Sequence, residues 1–460
     1  MRYRELIDKL KKGLKWVGRT TSNPFYYKKM AYKSYYNFIY KRNDDEWVMY
    51  NTLNSALVIL SNCEKETYDK LPNENIDIHS SFEKELYSLG FILDDDYDEK
   101  GIVTNSRFRR MFIEKSAYLR ILTTTLCNAN CEYCYEKGFQ PVNMTMETAK
   151  QVVKFILEKS NVEILYLHWF GGEPLLNIQV IDYIMDNVYE KLKEKGVSIY
   201  VYITSNASLI NNDLINKIKD NWHTNWIQIT IDDLGAKYDK VKKYNPEQYN
   251  FQKVVRNIEL LLNSEILVNL RINYDEKDIK KVSEVSEYFI NKFKDYYISG
   301  MLRFTPAPIF DVMPISNKNS TSISNRSLGI YEAYTSILSQ CNSKYDPFDL
   351  SFKGGQCYAC HQGSFIIDPE GNLFKCTVTI KDKKTNVGSV YTGFKANREY
   401  FRWVSPTISE QCDKCIFLPI CQGGCRAGHL GYINHCCNYY ALDIEKILNY
   451  KIRIGITNKK

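Results

Sequence analysis

Leu122-Thr-Thr-Thr-Leu-Cys127-Asn-Ala-Asn-Cys131-Glu-Tyr-Cys134-Tyr135 is the stretch on which the reading of this chain turns. The run from Tyr118 to Thr125 is apolar and β-rich, which predicts a buried strand. Three cysteines follow it within eight residues. Thiolates that close together can wrap one corner of a cubic iron–sulfur cluster. Such a cube normally takes four cysteine ligands, so three leave one iron open to something else. On spacing alone, a zinc loop or a purely structural cluster stands beside this reading, because short Cys spacings are shared among metal sites.

The 460 residues are enough for two or three domains with sizeable cores. Apolar residues at 44% and charged residues at 25% suit a water-soluble globular chain. No apolar run approaches the roughly 18 residues a bilayer requires, so no integral membrane segment is expected. The basic N-terminus lacks the continuous apolar core of a secretory signal, and a cytoplasmic protein is the default. Twelve of the fourteen cysteines fall between 127 and 134 or between 357 and 437, leaving Cys63 and Cys341 as ordinary thiols. Cytosolic thiols rarely form structural disulfides, so this grouping indicates metal. Of the net +7, residues 1–42 contribute +10, with twelve Lys/Arg against two Asp/Glu. The remainder stands at −3, which argues against a nucleic-acid-binding surface across the protein.

Taken in order, residues 1–35 form a basic segment in which Leu6, Leu10, Leu14 and Val17 share one helical face over 4–17. Residues 38–50 read as two strands around an Asn43-Asp44-Asp45 turn. Helices are expected over 52–61 and 81–89, then a strand over 91–93, making 36–100 a winged-helix-like domain. Such a domain could recognise DNA or a peptide strand added to the hairpin edge, or simply cap its neighbour. The acidic run 94–99 reads as a solvated linker. From 115 to 314 strands alternate with helices, starting at 118, 163, 198, 226, 267 and 300. Six β-α units imply a parallel sheet closed into a partial (β/α)6 TIM-like barrel, with the site at the strands' C-terminal ends. Residues 315–350 read as a polar crossing, and 350–445 hold the remaining clustered cysteines.

The second barrel strand runs into Gly171-Gly172-Glu173-Pro174, where two glycines allow close backbone approach. C-x-x-x-C-x-x-C after one strand and Gly-Gly-Glu-Pro after the next together resemble the radical S-adenosylmethionine (SAM) enzymes. The resemblance implies that Cys127, Cys131 and Cys134 hold a 4Fe–4S cluster whose open iron binds SAM. It places Gly171, Gly172 and Glu173 at the methionine amino group of SAM, and Tyr133 near adenine. Ile203-Thr-Ser-Asn206 is similar to the family's Thr-Asn-Gly at the third strand's end. Gln228-Ile-Thr230-Ile-Asp232 with Tyr238-Asp239 and Lys242 is similar to Ser-Leu-Asp-Gly-Pro…His-Asp…Arg, which maps Thr230 and Lys242 beside SAM. Lys242 replaces a planar fork with a point charge. Arg271 is a further candidate contact.

Cys357, then Gly371-x4-Cys376, then Cys412-x2-Cys415-x5-Cys421-x3-Cys425 and a last cysteine resemble the SPASM extension, with its two auxiliary 4Fe–4S clusters. C4 zinc sites are the simpler alternative. By family pattern one cluster takes Cys357, Cys376 and Cys425, with Cys360 placed to supply a fourth thiolate. The other takes Cys412, Cys415, Cys421 and Cys437, the last preferred to Cys436 because Cys437-Asn-Tyr-Tyr matches the family's Cys-x-x-Tyr ending.

The resemblance implies an enzyme that reductively cleaves SAM and uses the 5′-deoxyadenosyl radical to remove hydrogen from an unactivated carbon. Electrons would come from a donor such as flavodoxin or ferredoxin. Anaerobic sulfatase-maturating enzymes carry Asp directly after the cysteine of Gly-x4-Cys, where this chain has Thr377, and they do not normally have a 100-residue N-terminal domain. Maturases of ribosomally made peptides often do, gripping a leader peptide as an added strand. The expectation is therefore a precursor-peptide maturase forming a Cys thioether crosslink, with formylglycine generation on a sulfatase as the alternative. A redox-sensing DNA-binding regulator is the non-enzyme alternative, and it leaves Gly171–Pro174 and the six β-α units without a purpose.

Overall fold

The computed structural model describes residues 30–113, 115–134, 136–158, 162–309, 329–341, 347–348, 350, 352, 357–433, 436–437 and 439–457. The expected helix at 4–17 and Tyr135 lie outside the described residues, as does much of the crossing at 315–350.

β1 (Ala31–Lys33) leads into an antiparallel meander of β2 (Asn37–Lys41), β3 (Glu46–Asn51) and β4 (Leu57–Ser61). α1 (Asn62–Lys70) and α2 (Ser81–Ser88) follow, and β5 (Ile92–Asp94) returns to pair with β1. The β2–β3 turn forms as the sequence indicates, with Asn43 Oδ1 accepting from the Asp45 and Glu46 amides. The helix expected over 52–61 does not form. Asn51 instead accepts from the Leu53 and Asn54 amides, Ser55 takes φ +63°, and the chain re-enters the sheet as β4. α1 starts only after Ser61, its N-cap, where Ser61 and Glu64 cap each other's backbone amides. Nor is 94–99 a solvated linker throughout. Asp98 caps α3 (Glu99–Phe108), and buried Glu99 accepts from the Ser34 hydroxyl and the Tyr35 amide.

One face of the meander, with Met49 and Leu60, packs on Tyr68 of α1 and Leu86 of α2. The other, with Tyr40, Val48 and Tyr50, packs on Ile447 and Leu448 of the C-terminal helix Ile444–Thr457. The Tyr40 hydroxyl donates to Asn449 Oδ1 at 2.9 Å across that contact.

Next come β6 (Ser116–Thr124), α4 (Met146–Leu157), β7 (Ile164–Gly171), α5 (Ile178–Glu194), β8 (Ser198–Ser205), α6 (Asn212–Asn216) and β9 (Thr224–Ile231). They continue as α7 (Gly235–Lys242), α8 (Phe251–Asn263), β10 (Leu267–Tyr274), α9 (Lys280–Lys292), α10 (Lys294–Ser299) and β11 (Leu302–Pro308). β6 to β11 run parallel and in sequence order, the six-fold β-α sheet the alternation predicts. Thr145, Asn211 and Asn250 cap α4, α6 and α8, each side chain accepting from the amide three residues on.

Successive strand residues point to opposite faces. Leu119, Ile121, Leu165, Leu167, Val201, Ile203, Ile227 and Leu270 are buried in one core with Val152, Ile156, Ile184 and Ile258 of the helices. The residues between them line the inner face. At the β6 edge β12 (Phe365–Ile367) adds parallel and β13 (Leu373–Phe374) adds antiparallel, so the Cys-rich region is built onto the same sheet.

Candidate active site

The first three thiols lie in the loop leaving β6, which is tied to the end of β7 and to the last residue of α7. Gly172 N donates to Thr124 O (3.0 Å), Glu173 N to Leu126 O (2.8 Å) and Asn130 N to Lys242 O (2.8 Å). A Cβ on Gly171, at φ +127°, would stand 2.2 Å from Thr124 O, and one on Gly172 2.2 Å from Leu126 O. The close approach these glycines permit is therefore to the chain's own β6 end. Glu173 has no exposed surface. Its carboxylate accepts from the Leu175 amide, the Ser205 hydroxyl and the Asn206 amide at 3.1, 2.9 and 2.8 Å. Burial pushes its carboxyl up to about 7 against the pull of those donors. The side chain thus joins the ends of β7 and β8.

Thr230, Lys242 and Tyr133 are brought together around a residue the family comparison left without a role. Asp232 ends β9's inner reach, ion-paired with Lys242 Nζ at 2.7 Å, both side chains 2% exposed. Lys242 Nζ also donates to Thr230 Oγ1 (2.9 Å), and the Tyr133 hydroxyl donates to Asp232 Oδ1 (2.5 Å). Asn273 Nδ2 donates to Asp232 Oδ1 (2.9 Å), while Arg271 turns to Asn273 Oδ1 (3.0 Å). Burial raises the Asp232 carboxyl, but Lys242 and the Tyr133 and Asn273 donors leave it below its ordinary value. Burial lowers Lys242, and Asp232 more than offsets this, so its ammonium is held well above the usual range. Both groups are ionised. Tyr133 stands between Cys131 and Cys134, so this buried pair braces the cysteine loop.

Sequence reasoning also missed the inner face itself, although its signal is the period-two alternation within β6 to β9. Arg120, His168, Tyr202 and Trp226 lie in one register across four strands. Arg120 Nε donates to His168 Nδ1 (3.3 Å), which also accepts from the Tyr118 hydroxyl (2.7 Å). A guanidinium can only donate, so Nδ1 carries no proton and Nε2–H donates to Thr204 Oγ1 at 2.8 Å. Burial, with Arg120 adding to it, holds this imidazole well below its ordinary pKa. His168 is a neutral, fixed wall residue.

The later cysteines fall into two neighbourhoods. Burial raises the Cys376 thiol, with the nearby Cys357 and Cys425 thiols adding to it, and Cys360 N donates to Cys357 O at 2.9 Å. Burial pushes the Cys437 thiol up to about 12, with Cys436, Cys412 and Cys415 adding, while Cys412, Cys421 and Cys425 act on Cys436. Both candidates for the last ligand therefore sit beside Cys412. As placed, no three His, Cys, Asp or Glu side chains among the described residues converge enough to hold a metal ion. The donor chemistry still fits iron–sulfur clusters, with three thiols on one braced loop and two further thiol groups. Among the described residues no helix is long and apolar enough to cross a membrane.

Residues 121–275 match the Radical SAM superfamily. An uncharacterized protein of Methanocaldococcus jannaschii is 33% identical over 108 residues, 24% of this chain and 36% of its own length. The radical SAM cyclopropyl synthase TigE of Paramaledivibacter caminithermalis is 22% identical over 92% of this chain and 96% of its own length. A cysteine-type anaerobic sulfatase-maturating enzyme of Clostridium perfringens is 23% identical over 65% of this chain and 86% of its own. Among solved structures, native anSMEcpe with bound AdoMet and Cp18Cys peptide superposes with a TM-score of 0.54 at 19% identity, covering 75% of this chain and 99% of that one.

Proposed function

We propose that this chain, an enzyme of the radical SAM superfamily and so a user of a 4Fe–4S cluster and SAM, is a maturase that modifies a ribosomally made precursor peptide. The observation that carries this reading is the N-terminal unit from β1 to β5. The sulfatase-maturating relative matches 65% of the chain, whereas the match to the TigE synthase extends over 92%. In the three-stranded meander β2 and β4 are the edges, either of which can take a leader peptide as an added strand. Thr377, in place of the sulfatase maturases' Asp, points the same way.

Cys127, Cys131 and Cys134 would hold the SAM-binding cluster, with Tyr133, Gly171, Gly172, Glu173, Thr230 and Lys242 shaping the SAM pocket around it. Cys357, Cys360, Cys376 and Cys425 would hold one auxiliary cluster, and Cys412, Cys415, Cys421 and Cys437 the other. When bound, cluster and SAM supply a carbon-centred radical that removes hydrogen from an unactivated carbon. The protein's part is geometric. The Asp232–Lys242 pair fixes Tyr133 and hence the loop, Glu173 locks two strand ends beneath it, and the inner face receives the peptide. A Cys thioether crosslink is the product assigned here, with formylglycine generation as the alternative.

The test is anaerobic reconstitution followed by mass analysis of a Cys-containing peptide encoded beside the gene. Expected are about twelve irons per chain, 5′-deoxyadenosine from SAM, and a peptide lighter by two hydrogens per crosslink. An aldehyde at the cysteine of a sulfatase sequence would instead establish the alternative.

A further inference from the structure

The inner face of the sheet and the first auxiliary cysteine group meet at one cation. Tyr358 directly follows Cys357 and opens the turn Tyr358–Cys360. Its ring stacks on Tyr118 of β6 with centroids 4.9 Å apart and planes 27° from parallel. The Arg120 guanidinium stands over both rings, 5.3 Å from Tyr358 and 5.9 Å from Tyr118, and 4.7 Å from Phe170. Three aromatic faces and His168 Nδ1 thus hold a charge that cannot be deprotonated. Arg120 is paired in register with His168, Tyr202 and Trp226 across the wall, while Tyr358 links it to Cys357. The same wall continues through ring contacts, tilted at Tyr118–Tyr166 (6.2 Å), stacked at Tyr166–Tyr202 (6.2 Å) and tilted at Tyr202–Trp226 (5.0 Å).

We propose that Arg120 is a positioning residue that raises the reduction potential of the auxiliary cluster held by Cys357, Cys360, Cys376 and Cys425, making that cluster the electron acceptor for the substrate on the inner face. This rests on the auxiliary clusters and thioether chemistry assigned above. Once a hydrogen atom has left the substrate carbon, the peptide's thiol gives up its proton to solvent and its sulfur bonds to that carbon. One electron is then in excess, and it passes to an oxidised 4Fe–4S cluster, leaving a closed-shell thioether. A 4Fe–4S core with four thiolates is already anionic and gains one more negative charge on reduction. A nearby fixed cation therefore favours the reduced form, an effect of net charge that is among the main controls of these potentials. A guanidinium screened from the cluster would leave the potentials unmoved when it is removed.

The full chain, reconstituted anaerobically with iron and sulfide, is titrated potentiometrically and followed by electron paramagnetic resonance. In Arg120→Met one cluster should become harder to reduce while the others hold. At the potential where half of that wild-type cluster is reduced, roughly a tenth should be reduced in the variant. Arg120→Lys, which keeps the charge, should stay near wild type. Should the Met variant load iron poorly, Arg120→Gln keeps a donor towards His168 and must show the same shift. Unchanged potentials in a fully loaded variant, or all clusters moving together, would overturn the assignment of Arg120. Iron near four per chain in the wild type would overturn the auxiliary clusters themselves, and Arg120's role with them.

Discussion

The buried Asp232–Lys242 pair lends itself to a double-mutant cycle whose outcome the geometry fixes in advance. With both side chains 2% exposed and the charges 2.7 Å apart, removing either partner strands the other in a dry site. Breaking a buried ion pair from one side typically costs 3–5 kcal/mol. Lys242→Met leaves Asp232 with donors from Tyr133 and Asn273, which places it near the low end, about 3 kcal/mol. Asp232→Asn leaves Lys242 with the Thr230 hydroxyl and the Tyr238 ring at 5.5 Å, a poorer set for a cation, so about 4 kcal/mol is expected. The double variant Asp232→Asn/Lys242→Met strands neither charge. It should cost clearly less than the sum of the singles, with a coupling of about 2–3 kcal/mol. At roughly 2–4 °C per kcal/mol for a unit of this size, calorimetric scans at one fixed rate resolve each step.

The pH dependence adds a second criterion. The folded Asp232 pKa is depressed, so its wild-type contribution is present above the unfolded value and lost as pH falls through the folded one. Without Lys242 that carboxyl is buried and uncompensated, and acidification neutralises it. The penalty of Lys242→Met should therefore shrink from pH 8 to pH 5, while that of Asp232→Asn should not. Strict additivity of the two substitutions, or equal penalties at both pH values, would refute the claim that the pair braces the loop as a unit.

Glu173 gives a stability trend of the opposite sign. Its folded pKa near 7 lies above the ordinary 4.5, so its contribution is full below 4.5 and lost as pH rises through 7. The shift corresponds to about 3 kcal/mol across that window, so denaturant midpoints at pH 5 to 8 should fall more steeply for wild type than for Glu173→Gln. Parallel curves would remove the burial argument. At the neighbouring turn, Gly171→Ala forces a Cβ to 2.2 Å from Thr124 O at φ +127°, whereas Gly196→Ala, at φ +76°, meets nothing within 4 Å. The first should unfold the β6–β7 junction or cost more than about 3 kcal/mol, and the second about 1 kcal/mol, measured by the same scans.

What the sequence made legible here divides by the range of the interaction that decides it. The six β-α units are written locally, in runs of alternating apolar residues and in caps such as Thr145 and Asn250, and they form as read. Residues 52–61 failed for an equally local reason. Asn51 and Asn54 suit a helix start, but Asn51 serves an Asx turn just as well, and the stronger signals lay further on. Val58 and Ile59 favour a strand, and Ser61-x-x-Glu64 is itself a capping box. Glu99 is a different kind of miss. Within Asp94–Glu99 nothing marks one acid for burial, because its partners, Ser34 and the Tyr35 amide, lie more than sixty residues away. Lys242 belongs with Glu99. The family resemblance implies a place beside SAM, yet its immediate environment is set by Asp232, which meets it only because α7 ends where β9 does. The role of a buried charge is defined by its counter-charge, and a counter-charge is a property of the fold. That is why the cysteines, whose spacing along the chain carries the family resemblance, stand out in the sequence, while Asp232, Arg120 and His168 could not be placed until the strands were set side by side.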